Sequence, residues 1–270
     1  MATPNASHLV PPLLDAWYQS ENGQYLLDSL RRTLQPILEV SFGYHILQIG
    51  VAAACPLHEQ SAINHRIYVA DRAGANVTLV SHSDELPLES DSIDAMIVHH
   101  SLEFGPDPHR VLREIQRVLA PQGHLLVVGF NPYSLFGAGV ALQRLARKPL
   151  WQQQHPVSRQ RLTDWLHLLG CEVQSHHQVY SVPPLGSGRL REWLTRADAW
   201  CNAHKLPLGG LYVLHAIKQV SALNRPGLRL RERGERLIGL AVPKPSTVPS
   251  PAPAVPGSTR SSSKPGEVAA

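Results

Sequence analysis

Residues 86–131 read LPLESDSIDAMIVHHSLEFGPDPHRVLREIQRVLAPQGHLLVVGFN, and two apolar runs within them, 93–98 and 124–130, bracket the strongest helical pattern in the chain. Each run is almost wholly apolar, as a strand buried on both faces requires. Between them Asp107 is placed to cap a helix and Pro108 suits its first turn. Val111, Leu112, Ile115, Val118 and Leu119 fall on one stripe, which leaves Arg110, Arg113, Glu114 and Arg117 for solvent. Pro121 and Gly123 then end the helix and turn the chain into the second run. A strand, a helix and a strand in succession predict a parallel pair joined by a crossover, the unit of an α/β sheet.

Working outward, the same alternation continues. Upstream, 45–49, 66–70 and 76–80 are short apolar runs that predict three more strands. Downstream, Ser158 opens a helical stripe of Leu162, Trp165, Leu166 and Leu169 ending at Gly170. CEVQSHHQVYSV follows as a sixth strand, a further helix spans 189–203, and LYVLHAIK makes a seventh strand. Before the first strand, Leu26, Leu27, Leu30, Leu34, Ile37 and Leu38 recur at helical spacing, predicting one or two amphipathic helices over 13–40. The expected organisation is an N-terminal helical segment (1–42), the sheet domain (43–224), a basic extension (225–242) and a tail (243–270). That tail is rich in Pro, Ser and Ala with no large side chain to bury, so disorder is expected there.

The chain has 270 residues, 43% of them hydrophobic, enough for one substantial core. Its net charge of +4 is a property of its end: Arg225 to Arg236 contributes five Arg and two Glu, and residues 243–270 contribute three bases and one acid. The first 224 residues therefore sum to −1, and a nucleic-acid-binding body is not expected. Cys55, Cys171 and Cys201 form no CxxC pair, and none of the 15 His lies in HExxH, so neither a disulfide framework nor a metal site is expected. No stretch approaches the ~20 apolar residues of a membrane span and no leader is evident, so the expectation is a cytoplasmic protein with no membrane partner. A protein partner for the C-terminal tail is the one macromolecular contact the composition suggests.

The order of elements in 86–131 resembles the type 11 methyltransferase family: a Leu-Pro pair, an acidic loop, a strand beginning with an apolar residue and Asp, a Leu-Glu turn, a Pro-x-x-x-Leu-Arg-Glu helix and a Pro-x-Gly turn. The resemblance implies a class I S-adenosylmethionine-dependent fold, a doubly wound, mostly parallel seven-stranded Rossmann-like sheet with N-terminal helices. It further implies that cofactor binds across the carboxyl ends of the first strands. There the family has an acidic residue where this chain has Gln48, and glycines near Ala52 and Ala54; Gly50 alone matches. On this basis Gln48, Gly50 and Ala52 are placed at the cofactor, and Asp71, 21 residues after Gly50, at the ribose diol. Asp71 could equally cap a turn. His82 and Ser83 stand at the adenine position, and His99 and Ser101 beside the methionine moiety.

Methyl transfer is an in-line displacement that asks the protein for alignment and, for an O or N nucleophile, a proton acceptor. His100 is the candidate base, against the alternative of a hydrogen-bonded structural histidine; Asn131 could position an acceptor or merely serve an Asn-Pro turn. Two functions are therefore weighed. The first is transfer of a methyl group from S-adenosyl-L-methionine to an unidentified small or macromolecular acceptor. The second is a methyltransferase-like protein with weakened cofactor binding that acts by interaction, suggested by Gln48, Ala52, Ala54 and His82. A nicotinamide oxidoreductase would need G-x-G-x-x-G after the first strand, which is missing.

Overall fold

The computed structural model describes residues 10–74, 76–105, 107–180, 189–203 and 209–219. The basic extension and the C-terminal tail lie outside them. Seven strands, β1 (His45–Gly50), β2 (His65–Ala70), β3 (Leu79–Val80), β4 (Ile93–His99), β5 (Leu119–Phe130), β6 (Cys171–Val179) and β7 (Leu211–Lys218), form one sheet in the order β3-β2-β1-β4-β5-β7-β6. The first five pair in parallel and β7 inserts antiparallel to both β5 and β6. This is the doubly wound Rossmann-like arrangement of class I methyltransferases.

Eight helices occur among the described residues: α1 (Val10–Gln19), α2 (Glu21–Val40), α3 (Ser101–Phe104), α4 (Pro108–Val118), α5 (Leu135–Leu145), α6 (Pro149–Gln152), α7 (Arg159–Leu168) and α8 (Arg189–Ala203). Strand alternation divides the core. Ala95 and Ile97 of β4 face a layer made by α1, α2, α5 and α6, while Met96 and Val98 face α4 and α7. The two N-terminal helices are therefore a wall of the sheet domain, with Leu14, Leu26, Leu30 and Leu34 buried against it.

Three expectations are corrected. The third strand is two residues long, because the eight residues between Ala70 and Leu79 leave no room for more. Among the described residues no helix joins β1 to β2; residues 51–64 are turns and coil, and Ala52, Cys55, Leu57 and Ile63 bury themselves in the α2 layer instead. The chain also enters β5 at Leu119, before Pro121 and Gly123, and the ladder to β4 then shifts register between Ile93 and Ala95. Gln122, at φ 63, takes the left-handed turn in that bulge.

The surface assigned to α4 is also put to use. Glu114 accepts the Leu86 N–H (2.8 Å) and pairs with Arg117 (2.7 Å), whose guanidinium donates to the Leu86 and Leu88 carbonyls (3.1 and 2.9 Å). Asp94 accepts the Tyr44 and His45 N–H groups (2.7 and 3.0 Å), fixing the start of β1. Much of the 86–131 signature is thus the wiring that holds β4 and its approach loop in place.

Candidate functional site

In a parallel sheet the loops after successive strands gather at the carboxyl edge, and where the order reverses beside β1 they leave a crevice. Here that crevice is a cavity of about 660 Å³, within the range that holds a nucleoside-sized ligand. Gly50 and Val51 line it after β1, Asp71 and Arg72 after β2, and Ser81, His82 and Ser83 after β3. Ser101 and Phe104 of α3, Gln152, Gln153 and His155 around α6, and Val10 and Pro11 of α1 complete the wall.

Five of the residues singled out in the sequence, Gly50, Asp71, His82, Ser83 and Ser101, are thereby brought to one cavity. Gly50 leaves space that a side chain would take: a Cβ there would come within 2.8 Å of the Tyr68 hydroxyl. Asp71 and His82 face each other across the mouth, Oδ1 to Nδ1 3.7 Å, with both side chains more than half exposed. Ser101 turns its hydroxyl to the Ile49 carbonyl (3.3 Å), tying α3 to the end of β1.

The other four, Gln48, Ala52, His99 and His100, lie behind the lining and are buried. Gln48 holds the loop that replaces the first crossover helix. Its Nε2 donates to the Cys55 carbonyl (2.8 Å), and its Oε1 accepts from the Leu57 N–H (2.7 Å) and from His58 Nδ1 (2.9 Å). A carboxylate could do only the accepting. Tyr68 donates to the Ala52 carbonyl and Asp15 accepts the Ala54 N–H (3.0 Å), so three side chains from three elements pin residues 52–57.

His99 and His100 belong to a buried chain of hydrogen bonds. The Tyr18 hydroxyl contacts His99 Nε2 at 2.8 Å and His100 Nε2 at 2.6 Å, and His100 Nδ1 meets Glu103 at 2.7 Å. Glu103 Oε1 accepts the Phe130 N–H (2.7 Å), and Phe130 stacks on the His100 ring, centroids 4.1 Å apart. Tyr18 has one proton, so it donates to one imidazole and accepts from the other. Burial pushes His100 down to about 3 and His99 well below its usual value, so both rings are neutral. Burial likewise raises Glu103, opposed by its hydrogen bonds from Phe130 and Gln154. His100 is in the left-handed region at φ 60, a conformation an L-residue keeps only when its surroundings hold it.

From the sequence Tyr18, like Trp17 and Tyr25, reads as closing over the cofactor or as packing a surface helix, and Gln154 and Tyr68 are passed over; the structure buries Tyr18 behind the wall. Their signals are long-range, with 81 residues between Tyr18 and His99. Asn131 serves the turn: its Nδ2 donates to the Gly209 carbonyl (2.9 Å) and its Oδ1 accepts the Tyr133 N–H (3.1 Å). Cys55, Cys171 and Cys201 are buried and unpaired.

Comparison with known proteins follows the same lines. A family profile described as a methyltransferase domain matches residues 57–127. The uncharacterized protein YafS of Escherichia coli is 31% identical over 214 residues, 77% of this chain and 82% of YafS. Among solved structures, a Thermotoga maritima S-adenosylmethionine-dependent methyltransferase aligns over 80% of this chain and all of its own, with a TM-score of 0.58 at 17% identity. Geranyl diphosphate C-methyltransferase of Streptomyces coelicolor, solved with Mg2+, geranyl diphosphate and S-adenosyl-L-homocysteine, aligns over 81% of this chain and 99% of its own, with a TM-score of 0.53 at 11% identity. At those identities the structures speak for the fold alone.

Proposed function

We propose that this chain, which belongs to the class I S-adenosylmethionine-dependent methyltransferase family, binds S-adenosyl-L-methionine in the 660 Å³ cavity and transfers its methyl group to an acceptor. The observation that carries this reading is the convergence of Gly50, Asp71, His82, Ser83 and Ser101 on one crevice at the carboxyl edge of the sheet. The residues present suit the adenosyl half of the ligand. Asp71 lies at the end of β2, where a carboxylate can accept both hydroxyl protons of a ribose. Ser83 and His82 offer a backbone amide and an imidazole to a base edge, and the bare backbone of Gly50 permits close approach.

At the ammonium end the fit differs from the family pattern, since Gln48 is committed to the loop and Asp71 is the one carboxylate among the described residues of the lining. Backbone carbonyls of residues 50–51 are the acceptors at hand. When bound, the sulfonium supplies an electrophilic methyl group, and the protein's part is alignment and exclusion of water. His100 acts in this reading as a positioning residue, holding Glu103 and Tyr18 behind the wall. Proton acceptors within the lining are Asp71, His82 and His155.

The test is calorimetric titration of the full chain with S-adenosyl-L-methionine and S-adenosyl-L-homocysteine. Binding is expected, and Asp71→Ala should weaken it about tenfold or more, since a hydrogen bond to a charged group contributes ~1.5 to 3 kcal/mol. No heat at high micromolar ligand would overturn the enzyme reading. It would favour the second one, an interaction protein on a methyltransferase scaffold, for which the displaced Gln48 is the supporting observation.

A further inference from the structure

Helix α5 packs against its neighbours through Phe136, whose ring meets Phe130, Trp151 and Tyr180, and through Val140. Val140 is its buried residue, while Leu135, Leu142 and Leu145 are 65%, 67% and 80% exposed, and Tyr133 just before it is 80% exposed. Positions 135, 138, 142 and 145 recur at spacings of three and four, so with Ala138 they form one apolar stripe on the outside of the protein. Single exposed leucines need no explanation; a stripe of them along one helix does.

Along the chain the charge beside this stripe has one sign. No acidic residue occurs from Ile115 to Thr163, whereas Arg147 and Lys148 follow the C-terminal end of α5 and are exposed; Arg144 lies on the packed side with Val140. An apolar face of leucines and a tyrosine bordered by arginine and lysine, without acids, is the composition of a helix that lies in a membrane interface. A partner made only of phosphates would leave the leucines unused. A second copy pairing antiparallel would set each basic cluster against the other helix's positive N-terminus, an unfavourable contact.

We infer that α5 is a docking face for an anionic lipid surface, with the leucine stripe entering the headgroup boundary and Arg147 and Lys148 engaging lipid phosphates. Among the described residues no helix is long and apolar enough to cross a membrane, so the contact is peripheral. The sequence-based expectation of no membrane partner considered a spanning segment and a leader, not a peripheral contact. The chain runs from α5 through α6 to Gln152, Gln153 and His155, so the docking helix is continuous with one wall of the cavity. The inference does not depend on the methyltransferase reading.

Sedimentation of the full chain with vesicles tests it. The protein should pellet with phosphatidylcholine vesicles that contain phosphatidylglycerol, pellet far less with phosphatidylcholine alone, and be released by salt. Each basic residue at an anionic surface is worth about fivefold in partitioning, so Arg147→Gln with Lys148→Gln should lower it about twenty-five-fold. Leu142→Ser with Leu145→Ser should lower it about tenfold or more, with the thermal midpoint of both variants unchanged because these side chains are exposed. Three results would overturn the proposal. One is no partitioning to anionic vesicles. Another is partitioning untouched by the α5 changes but abolished by Arg229→Gln with Arg231→Gln in the C-terminal extension. The third is a dimer in light scattering that Leu142→Ser with Leu145→Ser converts to monomer, which would make the stripe a self-association face.

Discussion

At the scale of single residues, Gln48 shows how a departure from a family pattern can carry its own structural logic. The position is fully buried and makes three hydrogen bonds, one as donor and two as acceptor. Restoring the family's acidic residue with Gln48→Glu would put a carboxylate oxygen against the Cys55 carbonyl and remove the donor that satisfies it. Such a change costs the desolvation of an unpaired buried group, about 1 to 3 kcal/mol or more for a charge. We expect Gln48→Glu to lower the urea midpoint by a corresponding amount and not to improve affinity for S-adenosyl-L-methionine. A variant as stable as the parent that binds more tightly would show that residues 51–58 are free to rearrange around ligand. None of this was legible in the sequence, where Gln48 reads as a lost cofactor contact. Its partners are seven to ten residues along an irregular loop, and only the folded loop brings them to it.

At the scale of elements, helix α4 was the most legible part of the chain and behaves accordingly. Asp107 caps it through the His109 N–H (2.9 Å), Pro108 opens it, and Val111, Leu112, Ile115 and Val118 are buried in one row. Its far end holds something periodicity could not supply. Lys218, the last residue of β7, donates to the Gln116 and Leu119 carbonyls (2.7 and 2.6 Å) and to Asp91 (2.6 Å). An ammonium group on the final carbonyls of a helix is favoured by the helix dipole as well as by the bonds themselves. Lys218→Ala should therefore destabilise the protein by about 1.5 to 3 kcal/mol by chemical denaturation, more than Asp107→Ala at about 1 kcal/mol. The reverse order would mean that the β7 contact is incidental. The missing crossover helix between β1 and β2 belongs to this scale too. Pro56 and the lack of a 3.6-residue period in 51–64 were visible, but the expectation of a helix came from the regular alternation elsewhere.

At the scale of the whole molecule, the histidines set a pH response. His58, His99, His100, His124, His176 and His215 are all held below their ordinary value, burial being the largest cause in each, with His100 pushed down to about 3 and His215 to about 4. The unfolded chain takes up protons on these rings near pH 6.5 while the native protein does not. Stability is thus fully present above about pH 6.5 and falls as the pH drops below it. Glu103, raised by burial, works the other way: its contribution is present at low pH and lost as pH rises through its folded value. One carboxyl against six imidazoles leaves the histidines in control of the window from about pH 6.5 to about 4.5. Urea midpoints at about pH 7.5 and about pH 5 should therefore differ, the lower pH giving the lower midpoint. Equal midpoints would show that the rings gain protons without unfolding.

What the sequence by itself determined was β4, α4, β5, α7, β6, α8 and β7, because apolar periodicity is a local property that burial on one or two faces imposes directly; α3, α5 and α6 it did not foresee. It also named five of the residues that line the cavity, because those sit at strand ends, where a parallel sheet brings its loops together. Only the tertiary structure decided which candidates stand behind the wall. Tyr18 from α1 reaching His99 and His100, Glu103 reaching Phe130, and Gln48 reaching Cys55 are contacts across layers or across a coil, set by side-chain geometry after packing. The same holds for the leucine stripe of α5: its pattern is that of an ordinary core helix, and only the packed fold shows that the stripe faces outward.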